Sequence, residues 1–368
     1  MAEDDGGLGA VLTGLGREAG LAAVGIGAAT VFEETRRVLF ERKGRGLDGG
    51  MQFTYRNPER STDPGRILAE ARSLVVGAWS YRRGDEVGAT GPAHSPRGEV
   101  ARYARADHYA SLRRALDPIA GHLRAAGWRA TVVCDDNALV DRAAAHRAGL
   151  GWFGKNSLML LPGQGSWFVL GSVVTDALLR PTAPVDLPSH GGGFGTCTRC
   201  QDACPTGALA EAGSVDARRC LAWLVQAPGP FPVEFRRALG GRLYGCDECQ
   251  RVCPINRVAD RKRPPPPAGA DEVGWVDLLD LLDSSDDELL AAHGRWYIPG
   301  RDPRYLRRNA LVALGNVGEG SDPSTERALR VWLRADDAML VEHAQWAARE
   351  LGRHDLVEGS SDRAARVP

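Results

Sequence analysis

The cysteines are the residues whose type and spacing most clearly predict chemistry. Of the eight cysteines in this 368-residue chain, seven lie between positions 197 and 253. Most of them form two runs that each end in a Cys-Pro pair, namely Cys197, Cys200 and Cys204 with Pro205, and Cys246, Cys249 and Cys253 with Pro254. In bacterial iron–sulfur runs of this kind the last cysteine ligates the partner cluster, so such runs occur in pairs. The spacing predicts two iron–sulfur clusters and redox chemistry.

Zinc and disulfide bonds are the two alternatives for these cysteines. A zinc site uses C-x2-C pairs and does not need the further cysteine that precedes each proline here. A disulfide framework is typical of small secreted chains, and this chain is long. Iron–sulfur ligation therefore fits the pattern best.

Composition limits the location and the partners of the protein. The formal net charge of −1 gives no general attraction to polyanions, so a nucleic acid would have to bind a local basic patch. The N-terminal residues lack the basic and apolar regions of a secretory signal, and no apolar stretch reaches the length of a membrane span. Free thiolates also suit a reducing compartment, so a cytoplasmic location is expected.

Three parts of the chain would position the cysteines. Residues 1–185 alternate between helical and strand patterns and predict an α/β (α+β) domain, with strands near 74–79, 130–133 and 167–170. Residues 186–260 form a ferredoxin-like module with two clusters and a short helical spacer around Cys220. Residues 261–368 begin with a proline-rich linker and then have helical patterns to the end of the chain.

A weak internal repeat lies in this last part. The segment 308–315 superposes on 345–352 with a shift of 37 residues (347 − 310), so that Ala, Leu and Gly recur in phase. Helical repeats of the HEAT class have a period of about 40 residues, which favours HEAT-like repeats. An ordinary helical bundle is the alternative, because two copies are few.

Two further segments have patterns that predict functional roles. Asp135 lies where a predicted strand gives way to a helix that starts near Leu139, so Asp135 or Asp136 could simply cap that helix. The run Gly149–Asn156 superficially fits a G-x4-G-K phosphate loop. It has Asn156 where Ser or Thr must meet magnesium, and it follows a helix where a strand is required, which argues against a phosphate loop. Its glycines would suit backbone that lies close to a flat cofactor.

Several motifs in order along the chain resemble the epoxyqueuosine reductases, which are cobalamin-dependent iron–sulfur enzymes related to reductive dehalogenases. Each motif is weak alone, and the set is specific. The motifs are Asp135 with 139–145, the segment 148–156, 165–167, 204–209, 243–250 and 308–310.

The resemblance implies a reaction on tRNA. The epoxide oxygen of epoxyqueuosine at the wobble position would be removed to leave queuosine, with two electrons and two protons consumed and water released. No side chain supplies electrons at low potential, so a cofactor has to carry that chemistry. The resemblance implies cobalamin bound by the first domain, two 4Fe-4S clusters, tRNAs with GUN anticodons as substrate, and a reduced flavodoxin or ferredoxin-like electron donor. A monomer is expected.

The resemblance also assigns the ligands. One cluster would be held by Cys204, Cys220, Cys246 and Cys249, and the other by Cys197, Cys200 and Cys253. The family has a further cysteine where this chain has Phe194, so the cluster of Cys197, Cys200 and Cys253 has three cysteines in view. It could be a three-iron cluster, a four-iron cluster with another ligand such as His190 or solvent, or a labile site; the four-iron form is favoured. Cys134 is expected to be a buried structural thiol.

The remaining site residues are likewise implied by the resemblance. Asp135 matches the proton-donating aspartate, and a carboxylic acid can donate at neutral pH if desolvation raises its pKa. The expected cobalamin contacts are Arg60, Ala101, Asp135, Met159 and Leu170, the last two from one strand whose main chain lines the cofactor. An Asp-Tyr-His triplet of the family appears here as Asp107, His108 and Tyr109, which leaves those roles open.

A basic and aromatic cluster near the start of the helical tail is the candidate tRNA contact. Its arginines would neutralise phosphates, and its rings would contact unstacked bases of the anticodon loop. A solvated helix face is the bland alternative. The candidate residues are Arg301, Arg304, Arg307 and Arg308, with Arg295, Trp296, Tyr297 and Tyr305 around them.

Two other functions remain as alternatives. A corrinoid iron–sulfur reductase of a small molecule would turn over without tRNA. A ferredoxin-type electron carrier would not bind cobalamin.

Overall fold

A computed structural model describes residues 7–84, 88–89, 92, 94–183 and 195–358. The chain divides into two compact units, and each is discontinuous in sequence. Unit 1 comprises Met1–Arg83, Asp107–Arg218 and Glu248–Pro266, and unit 2 comprises Gly84–Ala106, Arg219–Asp247 and Pro267–Pro368.

Unit 1 is built on an antiparallel sheet with the strand order β1-β2-β8-β5, beside a small β6–β7 hairpin. Its strands are β1 (Ala23–Ala28), β2 (Ser73–Ser80), β5 (Ala130–Cys134), β6 (Trp152–Phe153), β7 (Met159–Leu160) and β8 (Phe168–Thr175), and unit 2 contains β3 (Gly88–Ala89), β4 (Arg97–Val100), β9 (Arg242–Tyr244) and β10 (Val273–Asp277). The predicted strands at 74–79 and 130–133 are confirmed. The third begins at Phe168 and runs further than predicted.

Unit 1 also contains the helices α1 (Gly7–Glu18), α2 (Glu33–Gly44), α3 (Pro58–Ser61), α4 (His108–Ala125), α5 (Asp141–Arg147), α6 (Arg199–Asp202), α9 (Glu248–Arg251) and α10 (Pro254–Lys262), and unit 2 contains α7 (Leu221–Leu224), α8 (Val233–Leu239), α11 (Leu278–Asp283), α12 (Asp286–His293), α13 (Arg304–Val317), α14 (Pro323–Trp332) and α15 (Ala338–Glu350). Helices α1, α4 and α5 pack on the sheet of unit 1. The central strands β2 and β8 are buried on both faces, which explains their continuous apolar sequence.

The prediction of one strand from Met159 to Leu170 is wrong. Met159 belongs to β7 and Leu170 to β8, and a turn closed by hydrogen bonds between Leu161 and Gly165 separates them. Gly165 has a φ of 78°, and a Cβ there would meet the Asn256 amide, so the turn needs glycine for two reasons.

Unit 2 contains a four-stranded sheet with the order β3-β10-β4-β9 and a helical core. Strand β10 lies beyond the proline tract, so the expectation of only helical structure after residue 261 is wrong. The apolar alternation of Val273–Asp277 over a half-buried surface explains why this short segment pairs with β4.

Side-chain caps mark the first turn of four helices of unit 2. Asp277, Ser285, Asp322 and Asp337 each accept hydrogen bonds from backbone N–H groups in the first turn of α11, α12, α14 and α15. Ser285 and Glu288 complete a reciprocal capping box.

The two copies of the internal repeat pack against each other. Ala310 lies on α13 and Ala347 on α15, and both are fully buried. A Cβ on Gly315 would meet the Trp346 ring at 2.7 Å and the Ala347 backbone at 2.9 Å, so the glycine allows close helix contact. The packing is compatible with HEAT-like repeats, which remain a prediction.

The predicted domain boundaries at residues 185 and 260 divide the chain into continuous segments, whereas each compact unit combines segments that are separate in sequence. The cysteine-rich region is divided between the two units, with Arg219–Asp247 in unit 2. Among the described helices, none combines the length and the apolarity that crossing a membrane requires.

Candidate iron–sulfur ligands and proton donor

Three cysteines are neighbours in unit 1. Burial and then the thiols of Cys253 and Cys197 raise the pKa of the Cys200 thiol, so the three sulfur groups lie close enough to interact. Cys200 lies on α6, which packs on α9 of the second run. Cys253 immediately precedes α10, whose first residue is Pro254, a position that suits proline because its φ is already helical. The end of the second cysteine run therefore lies close to the start of the first run.

Lys155 holds the backbone at the start of the first run. Its Nζ donates hydrogen bonds to the carbonyl oxygens of Gly195 (2.8 Å) and Cys197 (3.0 Å). Lys155 occupies the lysine position of the G-x4-G-K pattern, but in the structure its side chain donates hydrogen bonds to backbone carbonyls. Phe194 stands where the family has its further cysteine, and His190 is a candidate replacement ligand. Both lie outside the described residues.

Cys204 and Cys249 also lie in unit 1. The Ala208 backbone N–H donates to Cys204 Sγ at 3.2 Å, a contact that stabilises a thiolate. The carbonyl of Cys249 accepts a hydrogen bond of 3.4 Å from Asn156 Nδ2. Asn156 therefore links the glycine-rich run to the second cysteine run.

Cys220 and Cys246 lie in unit 2, near one tyrosine. The pKa of Tyr103 is raised well above its usual value by burial, followed by Tyr244, Cys220, Cys246 and Asp247. Cys220 precedes the short helix α7, which confirms the predicted helical spacer.

None of the eight cysteines, all within the described ranges, forms a disulfide bond, so the disulfide alternative is wrong. Cys134 is buried, and burial raises its pKa to about 11, as expected for a structural thiol. In the part of the chain that the structure describes, no group of three or more His, Cys, Asp or Glu residues is placed to hold a metal ion.

Asp135 is presented at the end of the central sheet. Cys134 is the last residue of β5 and pairs with Gly171 of β8, so Asp135 leaves the strand at the level of Leu170. Asp135 is exposed and has a φ of 51°, a left-handed conformation that Asp tolerates better than most residues. Burial, then Asp136 and Asp107, raise the pKa of the Asp135 carboxyl, while Arg113 opposes them.

The alternative that Asp135 or Asp136 caps the next helix is wrong. Helix α5 begins at Asp141 after Val140, and no side chain caps it. Asp136 Oδ1 instead accepts a hydrogen bond from the Ala138 N–H at 2.8 Å, which makes a local turn. Asp135 is thus held out of the helix by a turn that its neighbour stabilises.

Three more polar side chains lie near Asp135 in unit 1. Burial, then Asp135 and Asp141, raise the pKa of Tyr109. The pKa of Asp141 is raised by burial and then by Asp135, and its Oδ1 is buried without a hydrogen-bond partner. Arg142 is solvent-exposed, yet burial is the largest cause that lowers its pKa.

The expected cobalamin contacts are only partly brought together. Met159 and Leu170 are buried in the same apolar core as Leu139, so their side chains face the core and their main chain is what remains for a cofactor. Arg60 is exposed on the short helix α3. Ala101 belongs to unit 2, where its N–H donates to the Tyr244 carbonyl at 2.9 Å. These four contacts stay predictions.

The prediction that Arg307 and Arg308 bind tRNA is wrong, because both side chains are buried. Arg308 is fully buried and donates to the carbonyls of Leu224, Val225, Ala227 and Gly229. Arg307 is buried, and its guanidinium donates hydrogen bonds to the Asp286 carboxylate and the Ser284 carbonyl. Their charge therefore organises the fold of unit 2.

Arg301 and Arg304 do reach the surface. Arg301 donates to the Gly294 carbonyl at 3.2 Å, and Arg304 is half exposed beside Asp302 and Asp337. Of the aromatic neighbours, Trp296 is buried against Tyr244, whereas Tyr297 is exposed. The candidate tRNA surface is therefore smaller than the sequence suggests.

Sequence reasoning missed Asp141 and the position of Tyr109. Asp107 caps α4 by accepting from the Ala110 N–H, which leaves the next two residues to face inward. His108 is buried, and Tyr109 interacts with Asp135. Asp141 lies within the motif 139–145 that carries the family resemblance, and this is the signal that could have found it.

The double run of cysteines defines an iron–sulfur protein with two clusters, and a family model described as the 4Fe-4S double cluster binding domain matches residues 195–256. The whole chain is similar to epoxyqueuosine reductases. It is 32% identical to that of Xanthomonas campestris over 356 residues, which cover 92% of this chain and 94% of the relative, and 31% identical to that of Bacillus subtilis over 337 residues, which cover 90% and 85%. The chain belongs to the epoxyqueuosine reductase family and is an oxidoreductase.

Solved structures agree with this assignment. A structure of epoxyqueuosine reductase with an epoxyqueuosine-modified tRNA-Tyr stem loop matches with a TM-score of 0.84 and 29% identity, covering 97% of this chain and 94% of that one. A Bacillus subtilis structure, described as having an aspartate-bearing catalytic loop swung out of its active site, matches equally well.

Proposed function

We propose that this chain reduces epoxyqueuosine to queuosine in tRNA with cobalamin that is reduced through its iron–sulfur clusters. The observation that carries the proposal is Asp135, a carboxyl with a raised pKa that an exposed turn presents at the end of the sheet in unit 1. Family membership over nearly the whole chain makes the tRNA nucleoside the substrate to test first.

The reaction removes one oxygen atom from the substrate. Two electrons and two protons enter, both carbon–oxygen bonds of the epoxide break, an alkene forms and the oxygen leaves as water. When bound, cobalamin would supply electrons at low potential, which side chains cannot do. The protein's own task is to bind, orient and protonate.

Asp135 is the proposed proton donor to the leaving oxygen. Its raised pKa keeps a larger fraction of the carboxyl protonated near neutral pH than an ordinary aspartate would have. Tyr109 and Asp141 lie in the same region, where the charge of Asp135 adds to the burial that raises the pKa of each. Leu170 and Met159 would line the cofactor through their backbone, with Arg60 and Ala101 as further contacts.

The clusters are the proposed electron route. Cys197, Cys200 and Cys253 are neighbours in unit 1 and would hold the first cluster. Cys204, Cys220, Cys246 and Cys249 would hold the second, as the family pattern implies. A reduced flavodoxin or ferredoxin-like protein is the proposed donor, and we propose a cytoplasmic monomer.

The tRNA is proposed to contact exposed basic residues of unit 2. Arg301 and Arg304 remain candidates, and the helices from α13 onward would form HEAT-like repeats that present them. The modified base would have to leave its stack to reach the proposed cofactor.

Anaerobic reconstitution tests the proposal. Protein loaded with iron, sulfide and cobalamin is incubated with epoxyqueuosine-containing tRNA and a strong reductant, and the nucleosides are analysed by mass. Queuosine should form only when cobalamin and tRNA are both present. Turnover of a small-molecule epoxide with no tRNA product would favour the small-molecule reductase, and iron-loaded protein that takes up no cobalamin would favour the electron carrier.

A further inference from the structure

Tyr103 lies directly against the loop that carries Cys246. A Cβ built on Gly245 would be 2.7 Å from the Tyr103 hydroxyl oxygen and 2.9 Å from its ring, so the phenol rests on this backbone with no side chain between them. Gly245 has a φ of 81°, which glycine adopts without strain. All of these residues, with Cys220, belong to unit 2.

Among the described residues, one side chain forms a hydrogen bond with the Tyr103 hydroxyl, and the hydroxyl oxygen is the acceptor in that bond. Gln226 Nε2 donates to Tyr103 Oη at 3.4 Å, and the Gln226 side chain also donates to the Ala222 carbonyl at 2.9 Å. A phenol has one proton to donate, and with an ordinary pKa of about 10 it keeps that proton at neutral pH. Within the described ranges no protein acceptor receives it, while Cys220 and Cys246 are both close enough to interact with the phenol.

We infer that Tyr103 donates a hydrogen bond to a sulfur atom of the cluster bound by Cys220 and Cys246 and thereby raises the reduction potential of that cluster. The inference rests on the proposed function, because it takes these cysteines as cluster ligands. Tyr103 is a positioning and tuning residue, not a catalytic one.

The direction follows from charge. One-electron reduction makes the cluster more negative, and a donor hydrogen bond stabilises the reduced form more than the oxidised form. Loss of the hydroxyl should therefore make the cluster harder to reduce. The electron itself comes from an external reductant, and the tyrosine is neither oxidised nor deprotonated.

Tyr103→Phe removes the hydroxyl and keeps the ring. Tyr244→Phe is the matched control, because that hydroxyl donates to the Tyr297 carbonyl at 3.1 Å and its ring stacks on Trp296. Both variants and the wild type are loaded with iron and sulfide without cobalamin, and the clusters are titrated by low-temperature electron paramagnetic resonance. This readout needs neither substrate nor turnover.

In Tyr103→Phe, one of the two clusters should show an about tenfold lower ratio of reduced to oxidised form at a fixed potential, equivalent to about 59 mV for one electron. The other cluster and both clusters of Tyr244→Phe should match the wild type. A pulsed measurement on the wild type should also detect an exchangeable proton coupled to the reduced cluster, and Tyr103→Phe should lose it.

Equal potentials in Tyr103→Phe and wild type would overturn the inference and leave the proposed function intact. Equal shifts in both variants would also overturn it, because they would reflect general loosening of unit 2. If Tyr103→Phe binds too little iron and sulfide for a titration, the pulsed measurement on the wild type replaces it. Absence of an exchangeable proton coupled to the reduced wild-type cluster would then contradict the inference. A wild type that binds zinc instead of iron would remove the proposed function itself.

Discussion

The charge of Asp135 contributes, after burial, to the raised pKa of Asp141, which lies six positions further along the chain at the start of α5. The turn between them therefore returns the second carboxyl toward the first. Two acidic groups in one desolvated region cannot both ionise easily, so at least one of them keeps its proton at a pH where an ordinary aspartate has lost it.

Replacement of Asp135 by Asn should abolish most of the turnover. General acid catalysis contributes about 10²- to 10⁴-fold, so a loss of that size is expected in kcat. Asn is the appropriate substitution because it tolerates the φ of 51° and keeps the size of the side chain. Single-turnover assays with epoxyqueuosine-containing tRNA measure the effect, and Asp136→Asn should keep most of the activity.

The same assay has a predicted pH dependence. Because the pKa of Asp135 is raised, the acid form persists above the usual range and is lost as pH rises through the folded-state value. The rate of the wild type should therefore fall on the alkaline side. A flat profile in the wild type, or full activity of Asp135→Asn at pH 7, would remove the assignment.

Asp141→Asn should increase the stability of the fold at neutral pH. The folded pKa of Asp141 lies above the unfolded value, so its favourable contribution is complete below the unfolded pKa and is lost as pH rises through the folded pKa. An amide has no charged form that burial can penalise, so the free energy of unfolding at pH 7 should rise. Urea unfolding at pH 4.5 and pH 7 measures it.

Asp176→Asn is the control with the opposite sign. Burial opposes ionisation of Asp176, but the hydrogen bonds and charge of Arg129 outweigh it and lower the pKa. This carboxylate stabilises the fold above its unfolded pKa and loses that contribution as pH falls, so its amide should be destabilising at pH 7. If both amides change stability in the same direction, the interpretation of Asp141 is wrong.

The sequence predicted two of the strands because strand formation depends on local pattern. The continuous apolar runs at 74–79 and 130–133 are strands because they are buried on a sheet. The partition of the cysteine region between two units was not predictable, because it depends on contacts between residues that are distant along the chain.

The arginines show the same limit at the candidate tRNA surface. Arg301, Arg304, Arg307 and Arg308 have the same residue type in one short segment, and the helical phase alone does not show which of them meets a partner. Arg308 is buried because the loop after α7 offers four backbone carbonyls that need donors. Only the tertiary fold supplies that information.

Arg308→Met should destabilise the protein and leave tRNA affinity unchanged. The substitution leaves several buried carbonyls without a donor, and each unsatisfied group costs about 1–3 kcal/mol. Thermal or urea unfolding should detect a loss of roughly 3 kcal/mol or more. Arg327→Met, on the exposed face of α14, is the control and should stay near the wild type. A stable Arg308→Met that loses tRNA binding would contradict the structural role.

Arg301→Gln should weaken tRNA binding without loss of stability. Its guanidinium is exposed and makes one backbone hydrogen bond, so the fold depends little on it. If Arg301 neutralises one phosphate, the slope of log affinity against log salt should become shallower by about 1. Filter binding between 50 and 200 mM salt, conditions over which phosphate contacts are lost, gives that slope. An unchanged slope would exclude a phosphate contact at this residue.

Phe194→Cys should strengthen the first cluster. In the proposed site Cys197, Cys200 and Cys253 would supply three thiolates, and a fourth at position 194 would complete the family pattern and the coordination of the last iron. Iron per protein, or the half-life of the cluster in a chelator, should rise. Phe194→Ala is the control, since it removes the ring without adding a thiol. Equal iron and identical low-temperature spectra in the wild type and Phe194→Cys would mean that the wild-type cluster already has its full set of ligands.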